Sequence, residues 1–172
     1  KDFLKNNSEN NAKVILKKRL NDLAILCRQL VYEMDFNFLY DPKRKLFSIG
    51  YRLHDSSLDE SFYDLLASEA RLLSFVAIAK GDVTVTHWFR LGRSLTSVKN
   101  GLALISWSGS MFEYLMPSLI METPTSSLLQ QTCSLIVKKQ IEYSNMYSIP
   151  WGMSESAYNV RDLHLTYLYS NF

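Results

Sequence analysis

The sequence predicts a mainly α-helical fold with a small β-hairpin and short extended segments. Three stretches of the chain have the apolar spacing of helices: residues 12–34, 64–79 and 127–147. Gly81 follows the second stretch, where a glycine commonly ends a helix. Because these stretches make up so much of the 172 residues, helices are expected to dominate.

Shorter elements are predicted between the helices. The polar turn at residues 41–45 separates two apolar runs, which predicts a hairpin. The other predictions are a helical turn at 87–90, a strand or extended run at 101–107, a helix interrupted by Pro117 at 111–121, and an extended segment at 163–169. We expect the Asn-rich residues 1–11 to be disordered, and we see no linker that would divide residues 1–172 into separate domains.

Composition excludes several classes of function. A net charge of +2 is too small to indicate nucleic-acid binding, and the basic clusters are typical of a solvated helix face and a turn. No run of about 18 apolar residues could span a membrane. The sequence has no glycine-rich phosphate loop, and its histidines have no metal-ligand spacing, so neither a metal nor another cofactor is predicted. Cys27 and Cys133 lie within apolar patterns and are expected to be buried free thiols.

Residues 149–159 form a candidate sugar site. Pro150 and Gly152 make this backbone irregular. An irregular loop has no structural need for Trp151, Tyr158, Asn159 and Glu155. Together these residues provide aromatic faces, an amide and a carboxylate. Aromatic faces stack on pyranose rings, polar groups bind hydroxyls, and a carboxylate can act at the anomeric carbon.

Three glutamates are candidate site residues, each with a structural alternative. Glu155 is either catalytic or a loop carboxylate that accepts hydrogen bonds from backbone N–H groups. Glu69 is favoured, on sequence alone, as a helix residue paired with an arginine. Glu113 is either a third site carboxylate or, as we prefer, a first-turn residue stabilised by the helix dipole. Taken singly, Trp88, Trp107 and Trp151 are more typical of a core than of a sugar platform, but three tryptophans near small or polar loop residues shift the balance toward a sugar platform.

Six motifs resemble the glycoamylase-like region of bacterial cyclic β-1,2-glucan synthases. They are residues 40–51 (YDPKRKLFSIGY), 63–71 (YDLLASEAR), 75–82 (FVAIAKGD), 87–93 (HWFRLGR), 107–117 (WSGSMFEYLMP) and 149–159 (IPWGMSESAYN). The resemblance runs nearly unbroken from residue 34 to residue 172, and motifs this long are specific. One departure is Leu168, where the family leads us to expect Gln.

The resemblance implies a place within a larger protein. Such synthases are large proteins of the bacterial inner membrane, in which one part builds linear β-1,2-glucan, a middle part closes the ring, and a third part trims the chain. This chain resembles the first portion of the middle part, on the cytoplasmic side. That part is an (α/α) toroid, so the resemblance implies a partial toroid, with the glucan chain and the remaining domains of the synthase as partners.

The resemblance also implies a mechanism. Ring closure retains the β configuration, which calls for double displacement. We expect Glu155 to act as nucleophile and Glu69 as acid/base, so that both face one cavity. The resemblance implies an acid that acts through a substrate hydroxyl, so we expect the two carboxyl groups to lie farther apart than the ~5 Å usual for retaining enzymes. The expected substrate-binding residues are Glu113, Trp151, Tyr158, Asn159, Arg71 and Asp162.

Two other functions stay open at this point. The chain could be a non-catalytic glucan-binding module, or a hydrolase similar to an endo-β-1,2-glucanase. Because the chain resembles only part of a toroid, we also expect exposed apolar surface and self-association, or coverage of that surface by the first helix.

Overall fold

The computed structural model describes residues 2–154, 156–161, 163 and 167–170, and the side chains of residues 11–154, 160, 161 and 163. The chain forms two compact units, Lys1–Phe38 and Leu39–Phe172. The expectation of a mainly α-helical chain with small antiparallel sheets is confirmed. The toroid itself stays a prediction.

The first unit is built on one long helix, α1, which spans Asp2–Glu33. It includes the Asn-rich residues for which we expected disorder. Its described side chains, from residue 11 onward, are exposed, including the leucines that define its apolar spacing. Cys27 is among them, so the prediction that this thiol is buried is wrong. No helix among the described residues is long and apolar enough to cross a membrane.

The second unit begins with the predicted hairpin, which is confirmed. Strand β1 (Tyr40–Asp41) pairs with β2 (Leu46–Ser48) in antiparallel register, with Tyr40 opposite Phe47. The Asp41 carboxylate closes the turn by accepting the backbone N–H groups of Lys43 and Arg44, at 2.7 and 3.0 Å. Further strands are β3 (Tyr51–Arg52), β4 (Ser57–Leu58) and β5 (Phe62–Tyr63). β5 joins β2 to complete a three-stranded sheet, whereas β3 pairs with β4.

The second helix is shorter than predicted. α2 spans Arg71–Lys80 and ends at Gly81, whose φ of 84° lies in the left-handed region that glycine favours. The predicted start at residue 64 is wrong, because Leu65 bridges Gly92 and the Ser68 hydroxyl accepts the Ala70 N–H group, which holds this segment outside the helix. Glu69 therefore lies in the turn before α2.

The remaining elements follow the sequence prediction more closely, except that residues 156–159 were predicted as part of an irregular loop and belong to a strand. They are α3 (Thr86–Arg90), β6 (Leu95–Val98), β7 (Gly101–Leu104), α4 (Met111–Leu115), a 3-10 turn (Met116–Leu119), α5 (Leu128–Tyr147), β8 (Ser156–Arg161) and β9 (Tyr167–Ser170). Strand β6 was not predicted from the sequence, and it forms an antiparallel hairpin with β7. Ser127 caps α5 by accepting the N–H group of Gln130, which explains the correctly predicted start.

The core of the second unit lies where α4 meets the segments around it. Its buried apolar members are Leu66, Ala67, Leu91, Leu104, Met111 and Tyr114. The Tyr114 hydroxyl donates to the Leu104 carbonyl at 2.8 Å, which joins α4 to β7. The core therefore fixes the start of α4 relative to the segment that carries Glu69.

His87 is a fully buried polar link between the hairpin and α2. Its Nδ1 lies 2.8 Å from the Lys45 carbonyl and must donate there, so in the neutral ring Nε2 accepts from the Ser74 hydroxyl, also at 2.8 Å. The Phe47 ring contacts it edge to face, with centroids 4.9 Å apart. Burial lowers the pKa of His87, although the hydrogen bond to Lys45 opposes this shift.

We expect this histidine to make stability depend on pH. Because its pKa is lowered on folding, the unfolded chain binds the proton more tightly, so the free energy of unfolding falls as pH drops below about 6.5. His87→Gln should cost about 1–3 kcal/mol at pH 7.5 and flatten this slope. Denaturant titrations across the pH range test this. His54→Gln, which alters an exposed histidine, is the control, and an unchanged slope in His87→Gln would contradict the assignment.

Candidate functional site

A cavity of about 200 Å³ brings together the chemistry that the sequence singled out. Its lining residues are Ile49, Ser61, Tyr63, Ser68, Glu69, Trp107 and Glu113. They come from the end of β2, from β5, from the turn before α2 and from the start of α4. Two carboxylates, two serine hydroxyls and two aromatic side chains therefore surround one space.

Glu69 presents the more accessible of the two carboxylates. It is partly buried, and its Oε2 accepts a hydrogen bond from the adjacent Ser68 hydroxyl at 3.1 Å. The arginine pairing that the sequence favoured is absent, because no ion pair within 4 Å joins Glu69 to Arg71 among the described residues. Glu69 can therefore offer its carboxylate to a ligand in the cavity.

Glu113 is 1% exposed, and its carboxylate is surrounded by donors. Backbone N–H groups of Trp107, Ser108 and Ser110 donate to it at 2.8–3.1 Å. Hydroxyls of Ser106, Ser108 and Ser110 donate at 3.2, 2.5 and 2.9 Å. Ser110 and Glu113 form a capping box at the start of α4, as the preferred first-turn interpretation implied.

These donors decide the ionisation of Glu113. Burial alone would raise its pKa, but the hydrogen bonds from Ser108 and Ser110 together outweigh burial and lower the pKa. An ionised carboxylate with this many donors is a poor proton donor. Its geometry instead fixes the turn at residues 106–110, and with it the position of Trp107 on the cavity wall.

Arg71 joins the two carboxylate segments through the backbone. Its buried guanidinium donates to the carbonyls of Ser68, Glu113 and Tyr114 at 3.0, 2.7 and 2.6 Å. Burial lowers the pKa of Arg71, while the charge of Glu69 acts in the opposite direction. Since its described hydrogen bonds go to carbonyl groups, Arg71 is a positioning residue in this geometry.

The loop that begins at Ile149 approaches the same region from the other end of the chain. The Met111 N–H group donates to the Met153 carbonyl at 3.0 Å, and the Phe112 N–H group donates to the Ser154 hydroxyl at 3.2 Å. Gln140 on α5 also donates to the Met153 carbonyl, at 3.1 Å. The loop therefore supplies acceptors to the first turn of α4, beside Glu113.

Several predicted site residues lie outside the described part of the structure, either entirely or in their side chains. Glu155 follows Ser154 in sequence, but it and Asp162 lie outside the described residues. Tyr158 and Asn159 lie on β8, and their side chains are likewise outside the described part. Their roles, and the pairing of Glu155 with Glu69, stay predictions.

Two of the three tryptophans are exposed rather than packed in the core. Trp107 is 62% exposed and lines the Glu69 cavity, while Trp151 is 53% exposed and is not among its lining residues. Trp88 packs against the core. Sequence reasoning weighed Trp107 only as one of three possible sugar platforms, and it did not name Tyr63 as a site residue. The small residues at 108–110 after Trp107 were the signal, because such residues leave a neighbouring ring open to solvent.

A second cavity, of about 420 Å³, is larger but chemically plainer. Its walls are mainly apolar, with Phe75, Trp88 and Leu129 among them, and Glu122 is its carboxylate. Size does not decide between the two cavities, because catalysis on sugars needs an accessible carboxylate beside groups that can bind a sugar ring. The smaller cavity combines the Glu69 carboxylate with serine hydroxyls and aromatic rings, whereas the walls of the larger one are mainly apolar. The smaller cavity therefore carries the candidate site. Neither it nor the rest of the described chain contains three His, Cys, Asp or Glu side chains grouped to hold a metal ion.

Comparison with known proteins gives one informative match. No family model matches the chain. Over 157 residues, 91% of its length, the chain is 52% identical to "Cyclic beta-(1,2)-glucan synthase NdvB" of Rhizobium meliloti (strain 1021). The chain spans 6% of that protein. The resemblance to cyclic β-1,2-glucan synthases is thus confirmed, whereas assignment to the glycoamylase-like region stays a prediction.

We expect Glu113→Gln to destabilise the protein, because the introduced amide group would face N–H and O–H donors. The free energy of unfolding at pH 7 should fall by about 2–3 kcal/mol. The variant should also lose stability less steeply in acid. The pKa of Glu113 is lowered on folding, so its contribution is present above about pH 4.3 and is lost as pH falls through the lower folded value.

Urea titrations from pH 7 to pH 3 measure both effects. Glu142→Gln is the matched control, since Glu142 is an exposed residue of α5 that pairs with Lys99. This control should change stability by no more than about 0.5 kcal/mol. Equal stability of Glu113→Gln and the wild-type chain at pH 7 would show that the donors around residue 113 contribute little.

Proposed function

The chain is homologous to a segment of a cyclic β-1,2-glucan synthase, and we propose that it forms part of the domain that closes linear β-1,2-glucan into a ring. The proposed reaction is a retaining transglycosylation within a larger synthase. The observation that carries it is the Glu69 cavity, with its accessible carboxylate, aromatic walls and hydroxyls.

The proposed reaction has two displacements. Glu155 attacks the anomeric carbon, the glycosidic bond breaks, and Glu69 delivers a proton to the leaving oxygen. A hydroxyl at the far end of the same glucan chain then attacks the glycosyl-enzyme, Glu69 takes its proton, and Glu155 is released. Each displacement inverts the anomeric carbon, so the product keeps the β configuration.

Support for the acid/base role comes from the surroundings of Glu69. Its carboxylate lies in a turn whose backbone is held by Arg71, so its position is fixed without an ion pair to any of the described residues. The loop before Glu155 is hydrogen-bonded to the first turn of α4, and Glu113 of that turn lines the same cavity. This convergence supports the proposal that Glu155 acts there.

The aromatic rings of the cavity suit a sugar ligand. Trp107 and Tyr63 line it, and an exposed ring can stack on the apolar face of a pyranose. We propose that these rings, with Ser61, bind a glucose unit beside Glu69. Trp151, Tyr158, Asn159 and Asp162 are proposed to bind neighbouring units. Arg71 and Glu113 are proposed to act on the substrate indirectly, through the backbone that they hold.

The wider setting is also a proposal. We infer that the partners are the glucan chain and the other domains of a synthase at the bacterial inner membrane, with this segment on the cytoplasmic side. Because the chain spans a small share of its relative, further walls of the site would come from outside it.

We predict that Glu69→Gln and Glu155→Gln, made in a longer synthase that contains this chain, each lower ring closure by about 10²-fold or more. Each variant is supplied with linear β-1,2-glucan, and the products are analysed by mass spectrometry, in which a cyclic product is lighter than its linear equivalent by one water. Glu142→Gln is the control and should keep wild-type activity. Unchanged cyclisation by Glu69→Gln would contradict the proposed role, and shorter linear products alone would indicate a hydrolase.

The isolated chain should close few or no rings. Trp107 and Trp151 are both largely exposed, and catalysis requires donor and acceptor to be held in line with water excluded. Incubating the 172-residue chain and the longer synthase with the same glucan tests this. Cyclic glucan formed by the chain at a rate similar to that of the longer protein would contradict it.

A further inference from the structure

Helix α1 carries a repeating apolar stripe that consists of Leu16, Leu20, Leu23, Cys27 and Leu30. The spacing alternates between four and three residues, which is the heptad pattern of helices that pair side by side. All five side chains are exposed, and the four leucines are at least 55% exposed. A stripe of this size on a helix surface is typical of a protein–protein contact.

The stripe is widened by further apolar side chains along its edges. Ala24, Leu26 and Val31 occupy the flanking heptad positions, and all three are exposed. A second helix laid along the stripe would therefore bury both the central positions and much of their margin. The stripe spans residues 16–30, which corresponds to about 21 Å of helix.

The charges of α1 divide along its length. Residues 13–19 contain four Lys or Arg and no acidic residue, whereas residues 20–33 contain two acidic residues and one Arg. Two copies side by side in parallel would place basic segment against basic segment. Two antiparallel copies would place each basic segment beside the more acidic part of its partner, and their helix dipoles would also oppose.

We propose that α1 pairs with α1 of a second copy of this chain in an antiparallel, two-fold symmetric contact. The heptad pattern allows antiparallel registers that differ by seven residues, and the charges favour the one with Leu20 opposite Leu30 of the other copy and Leu23 opposite Cys27. This register brings Arg19 of each copy beside Glu33 of the other, at the edge of the contact. The same register places Leu26 next to its own symmetry mate, so the margin of the stripe is buried as well.

The partner is therefore a second copy of the same surface, as two-fold symmetry requires. This inference rests on α1 alone and does not depend on the proposed function of the second unit. Sedimentation equilibrium of the 172-residue chain should show a reversible dimer. A monomer throughout the accessible concentration range would overturn the proposal.

Charge reversal tests the orientation. Arg19→Glu and Glu33→Arg should each raise the dimer dissociation constant by about tenfold, because each places like charges together twice per dimer. The double variant Arg19→Glu/Glu33→Arg should restore dimerisation to near the wild-type constant. In a parallel pair, residue 19 would face Ala24 of the other copy, and the double variant would not restore what the single variants lose. Failure of this rescue would overturn the antiparallel register.

Cysteine cross-linking tests the register directly. In a Cys27→Ala/Cys133→Ala background, Leu20→Cys and Leu30→Cys introduced together should give a disulfide-linked dimer under mild oxidation. Leu20→Cys alone should not, because the two copies of residue 20 would be separated by ten residues of helix, about 15 Å. Efficient cross-linking of Leu20→Cys alone would indicate parallel pairing and overturn the proposal.

Discussion

The candidate site depends on the buried guanidinium of Arg71. It donates to carbonyls of two segments more than 40 residues apart in sequence, Ser68 before α2 and Glu113 and Tyr114 in α4. A planar group with several donors can join backbone segments in a fixed geometry, which the single ammonium of lysine would not reproduce. Because Glu69 follows Ser68, this cation positions the accessible carboxylate of the cavity opposite the start of α4.

The start of α4 is the second fixed point of the site. Its free N–H groups are satisfied by three sources: the Ser110 hydroxyl, the Met153 carbonyl and the Ser154 hydroxyl. The Glu113 carboxylate in turn accepts a hydrogen bond from the backbone N–H group of Trp107. One short helix thereby organises an aromatic wall, a buried carboxylate and the loop that precedes Glu155.

The sequence predicted the elements whose signals are local. The hairpin followed from a polar turn at Asp41, and α5 from its spacing and from Ser127. The start of α2 was predicted too early, because the segment around Ser68 is held out of the helix by its bridge to Gly92 and its link to α4, which are tertiary contacts. The sequence identified Glu69 and Glu113 as candidates. It could not show that Glu69 is accessible and that the Glu113 carboxylate is surrounded by hydrogen-bond donors, because these properties also depend on tertiary contacts. The sequence left Trp107 between a core residue and a sugar platform, because exposure depends on what packs beside a side chain.

A structure of the longer synthase with a bound linear β-1,2-glucan tests the central claim most directly. The account predicts a glucose ring against Trp107, with the Glu69 carboxylate within hydrogen-bond distance of a glycosidic oxygen or of a sugar hydroxyl that relays the proton. Arg71 should remain bound to the Ser68 and Glu113 carbonyls, since its role is positioning. A glucan chain bound instead in the apolar cavity beside Phe75 and Trp88, with the Glu69 cavity empty, would contradict the account.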